Sequence, residues 1–244
     1  MRWLTAIPVY NEATHLEAVL REVRRTSPEI LVVNDGSTDG TGELLAREPG
    51  IRLITHPKNH GYGAALASAF RFAVAHRYDV LVTMDCDGQH EPTRIPVLLE
   101  AIHDADIVSG SRYLRDFRQN TPVPEERLRI NRQVTAEINE RYGFNITDAF
   151  CGFKAYRTAA LAKLDITEPG YGMPLQLWVQ AARLGLRVKE VGVPRVYLDL
   201  SRAFGGALDD GDQRLAYYRT VLTDAERRWT EQFWCPELCR ESCP

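Results

Sequence analysis

Short apolar runs alternate with longer amphipathic stretches along the first hundred residues. Val80-Leu81-Val82 is typical of the runs, because β-branched and apolar residues bounded by turn formers predict a buried strand. The predicted strands are residues 4–9, 30–33, 51–55 and 79–83, and the predicted helices between them are residues 13–25, 38–47 and 64–76. This alternation predicts an α/β fold with a mostly parallel central sheet that is flanked by helices.

The second half of the chain is less regular. Its clearest helical pattern spans residues 125–142, where Ile130, Val134 and Ile138 form one apolar row in a stretch rich in Glu and Arg. That charge is unlike a helix that lies in a membrane interface. Further predicted strands are 107–110, 150–156 and 187–193, further predicted helices are 174–184 and 213–233, and 205–212 is a predicted loop. We expect one large domain over residues 1–212, followed by a C-terminal helix and a cysteine-containing tail over residues 213–244.

Composition narrows the class of protein. The 244 residues carry a net charge of -3, which does not favour broad electrostatic binding to nucleic acid or to anionic lipid. No apolar run approaches the roughly 20 residues of a membrane span, and the N-terminus lacks the apolar core of a signal peptide. We therefore expect a cytoplasmic protein with no nucleic-acid partner and at most peripheral association with a membrane surface.

The cysteines fall into two groups. Cys86 and Cys151 lie in apolar or motif contexts, where a buried free thiol is the default. The tail has three cysteines at four-residue intervals, Cys235, Cys239 and Cys243. On a helix these sulfurs would share one face and could hold a metal. Pro236 interrupts the stretch, and no histidine or fourth ligand lies nearby, so we do not expect a metal site in the tail.

Every conspicuous polar cluster follows a predicted strand. The clusters are Tyr10-Asn11-Glu12, Asn34-Asp35-Gly36-Ser37 and Asp85-Cys86-Asp87. In parallel sheets, ligands bind beyond the carboxyl ends of the strands, so a cleft is expected there. Asp85 and Asp87 lie one residue apart and would repel each other, so something positive is expected between them. Asp35 should extend into the same cleft, where a carboxylate can accept hydrogen bonds from a ribose diol or a base edge.

Other classes of protein are compatible with parts of this pattern. Gly61-x-Gly63 follows a strand and opens a helix, which is close to the fingerprint of NAD(P)-binding dehydrogenases. Against it, the glycines lie on the third strand–helix unit, and a pyrophosphate would face three carboxylates without a cation. An aspartate-dependent phosphohydrolase would need a hydroxyl residue shortly after the aspartate pair, where Gly88-Gln89 stand. A binding module with an inactive site is a further alternative.

Six motifs occur in order along the first 156 residues. They are IPVYNE (residues 7–12), VVNDGSTDGT (32–41), NHGYGAAL (59–66), MDCDGQHEP (84–92), DIVSGSRY (106–113) and TDAFCGFKAY (147–156). Together they resemble the family 2 glycosyltransferases with the GT-A fold, and most closely the dolichol-phosphate mannose synthase-like, or polyprenyl-phosphate glycosyltransferase, branch. The resemblance covers roughly the first 200 residues. It implies that residues 1–212 form a GT-A catalytic domain.

The resemblance also implies roles for individual residues. The nucleotide-sugar donor would be held by Pro8, Tyr10, Glu12, Asp35, Asp85 and Cys86. A divalent cation, Mg²⁺ or Mn²⁺, would be held by Asp85, Asp87 and Gln89. The acceptor would be bound by Arg112, Arg132 and Arg202, and the catalytic residues would be Arg112 and Asp148.

These roles imply an inverting transfer of a hexose from a nucleotide-diphosphate sugar of the GDP-mannose or UDP-glucose type. A polyprenyl phosphate is the expected acceptor, and Arg112 would orient its oxygen, because an anionic nucleophile needs no base. A hydroxyl of a soluble glycan or small molecule is the alternative acceptor. It would need a carboxylate such as Asp148 to take its proton.

Overall fold

The computed structural model describes residues 1–198 and 204–233, in which strands and helices alternate. The strands are β1 Trp3–Val9, β2 Ile30–Asn34, β3 Arg52–Thr55, β4 Val80–Thr83, β5 Ile107–Ser111, β6 Lys154–Arg157 and β7 Val188–Gly192. The helices are α1 Leu16–Val23, α2 Thr41–Arg47, α3 Tyr62–Ala75, α4 Ile95–Ala101, α5 Glu125–Tyr142, α6 Thr158–Leu161, α7 Met173–Arg183 and α8 Gly211–Phe233.

The strands form one sheet in the order β3-β2-β1-β4-β6-β5-β7. Most neighbouring pairs are parallel, whereas β6 runs antiparallel to both β4 and β5. The predicted α/β class and mostly parallel sheet are therefore confirmed. The register pairs Val9 with Asn34 and Ala6 with Thr83, so β1, β2 and β4 end at the same edge of the sheet. The polar clusters that follow these strands meet at that edge.

Helices cover both faces of the sheet. On one face, α1 and α4 pack in an apolar cluster with strand residues such as Val32 and Val82. On the other face, α3 and α7 pack in a cluster with Leu31 and Leu81. Successive residues of a strand point to opposite faces, and both sets are apolar because both faces are covered.

A third apolar cluster joins α5, α7 and α8 beside the sheet. The predicted row Ile130, Val134 and Ile138 is buried in it, together with Trp178 of α7 and Leu222 of α8. Helix α8 therefore packs on the body of the fold. The division of the chain at residue 212 stays a prediction.

Several regions differ from the predicted elements, among them the helix predicted from residue 38, which begins at Thr41. The helix predicted from residue 13 begins at Leu16, because the backbone reverses at Asn11, which has a φ of 56°. The strand predicted from residue 150 begins at Lys154, since the residues before it form a loop against the Asp85 side chain. The predicted loop 205–212 contains a 3₁₀ turn at Gly206–Asp209, and α4 lies where no element was predicted.

Several predictions concern membrane spans and cysteines. No helix among residues 1–198 and 204–233 is both long and apolar enough to cross a bilayer. The cytoplasmic location stays a prediction. Cys86 and Cys151 are both buried, as expected, and neither forms a disulfide within residues 1–198 and 204–233. Arg202 and the three tail cysteines lie outside the described residues.

Candidate active site

A cleft of about 480 Å³ opens at the carboxyl edge of the sheet. The predicted donor and cation residues all line it: Pro8, Tyr10, Glu12, Asp35, Asp85, Cys86, Asp87 and Gln89. We call the carboxylates that follow β1, β2 and β4 the acidic half, which consists of Glu12, Asp35, Asp85 and Asp87. The arginine half comes from the residue after β5 and from α5 and α8, and consists of Arg112, Arg127 and Arg214.

The turn after β1 places Tyr10 and Glu12 in the cleft. Asn11 has a φ of 56°, a left-handed conformation that Asn adopts more readily than most residues. Its side-chain oxygen accepts a hydrogen bond from the Thr38 N–H at 2.8 Å, and its own N–H donates to Ser37 Oγ at 3.0 Å. The segment after β2 thus fixes the turn, which leaves Tyr10 exposed and Glu12 buried.

Asp35 is held by the start of α3. Its Oδ2 accepts a hydrogen bond from the Gly61 N–H at 2.7 Å, and its Oδ1 accepts one from the His60 N–H at 3.0 Å. His56 Nδ1 lies 2.6 Å from Oδ1, and His56 Nε2 lies 2.9 Å from Ser68 Oγ. A carboxylate has about four lone-pair positions, so roughly one is left for a nucleoside.

The Gly61-x-Gly63 pattern has a packing explanation. A Cβ at Gly61 would lie 2.3 Å from the Pro169 carbonyl oxygen, and one at Gly63 would lie 2.2 Å from that of Glu168. Both glycines are therefore required by the close approach of the loop before α7. The amides at the start of α3, where a dehydrogenase would hold a pyrophosphate, donate to Asp35 instead. The geometry argues against the NAD(P)-binding alternative.

Asp85 and Asp87 follow β4 on a turn that hydrogen bonds hold in place. The Asp85 N–H donates to His90 Nδ1 at 3.0 Å, and the Gln89 N–H donates to Asp87 Oδ1 at 3.0 Å. Burial raises the pKa of Asp85 above its ordinary value, and the negative charge of Asp87 adds to this shift. His90, whose Nδ1 lies 3.8 Å from Asp85 Oδ2, acts against the shift without cancelling it. A carboxylate whose charge is disfavoured in this way is stabilised by a cation that binds beside it.

Tyr62 and Gly152 position the Asp85 carboxylate. The Tyr62 hydroxyl donates to Asp85 Oδ1 at 3.0 Å, and its ring stacks on Tyr171 with centroids 5.9 Å apart. A Cβ at residue 152 would lie 2.6 Å from Asp85 Oδ2, so glycine is needed there. Thr83 Oγ1 donates to the Gly152 carbonyl oxygen at 2.8 Å and fixes this loop against β4. Neither Tyr62 nor Gly152 has a role predicted from the sequence.

The acidic half suits a divalent cation that arrives with a diphosphate. Within the part of the chain that the structure describes, no group of three or more Asp, Glu, His and Cys side chains could hold a metal ion. A pair of carboxylates is nevertheless enough where phosphate oxygens and water complete the octahedron that Mg²⁺ prefers. The raised pKa of Asp85 supports this fit, because a bound cation relieves the cost of its charge.

Arg112 and Asp148 form a bidentate ion pair at the arginine half. Arg112 Nε donates to Asp148 Oδ2 at 2.7 Å, and Arg112 Nη2 donates to Oδ1 at 2.9 Å. Asn131 Nδ2 and the Phe150 N–H donate to the same carboxylate at 2.7 and 3.2 Å. Burial by itself would raise the pKa of Asp148, but Arg112, and then Asn131, outweigh it and lower the pKa.

The structure places the Asp148 side chain away from the cleft. Its side chain is 0% exposed and does not line the cleft, whereas that of Arg112 is 20% exposed and does. Glu190 fixes the segment, because its carboxylate accepts hydrogen bonds from the N–H groups of Thr147 and Asp148, at 2.8 and 3.1 Å. Asp148 is thus paired with Arg112 beneath the cleft wall, whereas a general base needs hydrogen-bond reach of its substrate, and its catalytic role stays a prediction.

Arg127, and not the predicted Arg132, lines the cleft from α5. Arg132 is exposed and lines a separate surface depression with Arg129. Five residues advance an α-helix by about 500°, so the two side chains leave α5 about 140° apart. Arg127 lies one turn before Ile130, on the face that carries the apolar row. A cation that extends this row is the signal by which the sequence could have identified it.

Phe204 and Arg214 complete the arginine half. The Arg214 guanidinium lies 4.6 Å from the Phe204 ring centroid, and that of Arg127 lies 5.2 Å from the same ring. Arg214 is 3% exposed and donates to Glu126 Oε2 at 2.7 Å. Tyr171, which stacks on Tyr62, meets Phe204 edge-on at 5.4 Å. An aromatic path thus connects the Asp85 side of the cleft with the arginines.

The sheet, with its antiparallel β6 and an acidic pair after β4, is that of a glycosyltransferase with the GT-A fold. Among solved structures, glucosyl-3-phosphoglycerate synthase from Mycobacterium tuberculosis, in complex with Mn²⁺, UDP and phosphoglyceric acid, matches with a TM-score of 0.70. The match covers 92% of this chain and 78% of that one, at 21% identity. At this identity the likeness concerns the fold alone.

The model of the family "Glycosyl transferase family 2" matches residues 5–165. Undecaprenyl-phosphate mannosyltransferase from Micrococcus luteus is 36% identical over 222 residues, which cover 86% of this chain and 90% of that protein. Polyprenol monophosphomannose synthase from Mycolicibacterium smegmatis is 34% identical over 203 residues, which cover 79% of this chain and 76% of that protein. The chain belongs to glycosyltransferase family 2 and to its dolichol-phosphate mannose synthase-like branch.

Proposed function

We propose that this chain transfers a hexose from a nucleotide-diphosphate sugar to a polyprenyl phosphate, with inversion at the anomeric carbon. The donor is of the GDP-mannose or UDP-glucose type, and Mg²⁺ or Mn²⁺ is the cofactor. The names of the two relatives specify a prenyl acceptor and mannose, which supports the acceptor and favours the first donor. The observation that carries the proposal is one cleft with two halves, of which one suits a cation-bound diphosphate and the other suits a second phosphate.

The acidic half binds the donor in this proposal. Pro8, Tyr10 and Glu12 line the wall beside the nucleoside, and Asp35 accepts one further hydrogen bond from it. The cation would be held by the side chains Asp85, Asp87 and Gln89. When bound, it neutralises charge on the departing diphosphate. Cys86, buried between the two aspartates, contributes only a wall of the cleft.

The arginine half binds the acceptor phosphate. Arg112 presents a guanidinium whose plane is fixed by the bidentate pair with Asp148, and its remaining N–H groups are available to a phosphate. Arg127 supplies a second cation from α5. Because the acceptor oxygen is already anionic at neutral pH, its orientation matters more than the removal of a proton.

The bond changes follow from this placement. An oxygen of the acceptor phosphate forms a bond to the anomeric carbon as the bond from that carbon to the diphosphate oxygen breaks. The electron pair of the broken bond leaves with the nucleoside diphosphate. A single displacement of this kind inverts the anomeric configuration, and no acceptor proton has to be removed. The burial of Asp148 is compatible with this chemistry.

Transfer to a sugar hydroxyl is the second candidate, and the geometry supports it less. A hydroxyl nucleophile requires a carboxylate within hydrogen-bond reach to take its proton. Asp148, the residue expected to do so, is fully buried and accepts hydrogen bonds from Arg112 and Asn131. The carboxylates that line the described part of the cleft belong to the acidic half, which the donor and its cation occupy in this proposal.

A transfer assay with the purified full chain tests the proposal. GDP-mannose and UDP-glucose would each be offered with undecaprenyl phosphate or with a methyl glycoside, in Mn²⁺ or in EDTA. We expect transfer to the prenyl phosphate, with one donor strongly preferred and with loss of product in EDTA. Transfer to the glycoside alone, or a product that retains the donor's configuration, would contradict the proposal. Nucleotide binding without any transfer would identify a binding module instead.

Arg112 provides the variant for this assay. Arg112→Lys keeps the charge but not the bidentate geometry, so we expect transfer to fall by about 10- to 100-fold through the acceptor KM. Arg112→Ala also leaves Asp148 buried without its partner and therefore destabilises the fold. Thermal melting of both variants separates this loss of stability from the loss of acceptor binding. An Arg112→Lys variant with an unchanged acceptor KM would remove Arg112 from the acceptor site.

A further inference from the structure

Two loops interlock to form one wall of the cleft. One follows β5 and spans residues 112–124, and the other follows β7 and spans residues 193–198. The Thr121 N–H donates to the Arg195 carbonyl oxygen at 2.8 Å, and the Tyr197 N–H donates to Thr121 Oγ1 at 2.8 Å. The inner side of this wall, with Tyr113 and Tyr197, lines the cleft. These hydrogen bonds join the two loops into one wall.

The outer side of this wall carries exposed leucines. Leu198 is 62% exposed, more than any other large apolar side chain in the part of the chain that the structure describes, and Leu114 is 45% exposed. A Cβ at Gly88, in the turn that carries the two aspartates, would lie 3.1 Å from Leu198 Cδ1. Leu198 thus stands at the mouth of the cleft, beside the cation-binding turn. Exposed apolar side chains at the mouth of a site indicate a contact surface.

Two cations follow Leu114 in the same loop. Arg115 and Arg118 are exposed, and neither forms an ion pair with any residue in 1–198 or 204–233. The Arg115 guanidinium lies 4.7 Å from the Phe117 ring centroid, which stiffens the loop. Although the whole chain carries a net charge of -3, residues 114–118 carry +1, because the exposed Asp116 lies between the two arginines. We call Leu114, Arg115, Arg118 and Leu198 the rim.

We propose that the rim docks the protein on an anionic phospholipid surface, so that the cleft opens onto the headgroup region. This inference rests on the proposed function, since a polyprenyl phosphate presents its phosphate at that depth. Apolar side chains enter the interface while basic side chains pair with anionic headgroups, and such signals bind usefully only in combination. The charged helix α5 need not lie in the membrane in this arrangement.

Vesicle binding of the full chain tests the rim directly. Wild-type protein would be sedimented with vesicles of phosphatidylcholine, with and without phosphatidylglycerol. We expect binding that is at least tenfold stronger with phosphatidylglycerol and that weakens in high salt. The triple variant Leu114→Ser, Arg115→Glu, Arg118→Glu should lose at least tenfold in affinity. Because Arg115 packs on Phe117, the double variant Leu114→Ser, Arg118→Glu keeps that contact and should still lose most of the binding.

A matched control lies at β3, the outermost strand on the side of the sheet away from β7. Leu53 on β3 is 40% exposed, and Arg47 at the end of α2 is exposed as well. The variant Leu53→Ser, Arg47→Glu changes charge and apolar surface in the same way as the double variant, and we expect wild-type binding. The inference would be overturned if the rim and control variants bound vesicles equally well. It would also be overturned if wild-type protein bound equally well to vesicles with and without phosphatidylglycerol.

A pair of acceptors separates the rim from the proposed function. With a short prenyl phosphate that dissolves in water, the rim variants should keep wild-type kcat/KM, because the cleft residues are unchanged. With a polyprenyl phosphate embedded in vesicles, they should lose at least tenfold. Equal activity of rim and wild-type protein on embedded acceptor would contradict the rim. If wild-type protein transfers to neither acceptor, the proposed function fails, and the vesicle measurement still decides the rim.

Discussion

The two ends of the central sheet each carry a carboxylate that accepts a hydrogen bond from a tyrosine hydroxyl. At the carboxyl edge, Tyr62 donates to Asp85 Oδ1 at 3.0 Å. At the amino edge, Tyr78 donates to Glu29 Oε2 at 2.6 Å. Arg2 Nε also lies 3.0 Å from Glu29, whereas no Arg or Lys forms an ion pair with Asp85 among residues 1–198 and 204–233.

The different surroundings shift the two carboxyl groups in opposite directions. Hydrogen bonds from Arg2, and then from Tyr78, lower the pKa of Glu29 to about 2. Burial, and then the charge of Asp87, raise the pKa of Asp85. The charge of Glu29 is thus offset by arginines inside the fold and stabilises it. The charge of Asp85 is offset only in part, by His90 at 3.8 Å, so a cation from outside would stabilise it further. A structural carboxylate and a binding carboxylate are distinguished here by their partners and not by their residue type.

The largest effect is expected from removal of a charge in the acidic half. Asp87→Asn should reduce sugar transfer by about 10²- to 10³-fold, because the charge on the departing diphosphate is no longer offset. Its Tm should be unchanged or higher, since the repulsion with Asp85 is relieved. Glu29→Gln should do the reverse and lower the Tm without changing transfer. Transfer rates at saturating Mn²⁺ and thermal melts of both variants measure these effects. An Asp87→Asn variant with the turnover of wild type would contradict the prediction.

The next effect concerns the two arginines of α5. Arg127→Ala should raise the KM for the prenyl phosphate acceptor by about 10- to 100-fold, because a charge-assisted hydrogen bond contributes ~1.5–3 kcal/mol. Arg132→Ala, on the same helix but outside the cleft, should change this KM by less than about twofold. Steady-state kinetics with varied acceptor distinguish the two. A larger effect of Arg132→Ala than of Arg127→Ala would support the acceptor-binding role that the family resemblance implies for Arg132.

The tyrosines give a smaller and sharper test of the comparison. Tyr62→Phe removes the hydroxyl from Asp85 but keeps the stack on Tyr171, so Mn²⁺ binding in the presence of nucleoside diphosphate should weaken about tenfold. Tyr78→Phe removes the corresponding hydroxyl from Glu29 and should lower the Tm with no effect on Mn²⁺ affinity. Electron paramagnetic resonance of free Mn²⁺ reports the affinity without any need for turnover. Equal Mn²⁺ affinity in the two variants would mean that Tyr62 does not position Asp85.

The smallest effect is a dependence of stability on pH. The folded-state pKa of Glu29 is lowered from 4.5 to about 2, so its stabilising contribution is complete above about pH 4.5 and is lost as the pH falls towards 2. The difference in Tm between wild type and Glu29→Gln should therefore be constant from neutral pH to about pH 5 and shrink below it. Thermal melts across this range measure the difference. A gap that persists unchanged at pH 3 would contradict the assigned pKa.

Much of this architecture is visible in the sequence, because it depends on local patterns. The apolar runs specify buried strands, and the polar clusters after them must meet at one edge once the strands are parallel. The acidic half was predicted on this basis, and all of its residues line the cleft. The presence of Arg127 in the cleft and the burial of Asp148 were not predicted. They depend on how α5 is rotated and on how the loop before β6 packs, which no local pattern records.

The roles of Tyr62 and Gly152 are inaccessible for a related reason. Tyr62 lies on α3 and Gly152 lies in the loop before β6, so each meets Asp85 only through the tertiary fold. Gly61 and Gly63 are a case in which a local pattern is misleading. Their spacing resembles a phosphate-binding fingerprint, but the structure explains both glycines by close packing against the loop before α7. Local motifs predicted residues that line one cleft, but contacts between distant segments decide how each side chain is held there.

Calorimetric titration of nucleoside diphosphate, with and without Mn²⁺, tests the central claim most directly. The claim is that the charge of Asp85, which Tyr62 and His90 offset only in part, forms a binding site for a cation that arrives with the nucleotide. For wild-type protein, we expect GDP or UDP to bind at least about tenfold more tightly with Mn²⁺ than without it. For Asp85→Asn, Mn²⁺ should no longer strengthen the binding. Wild-type protein that binds both nucleotides equally well in Mn²⁺ and in EDTA would contradict the account.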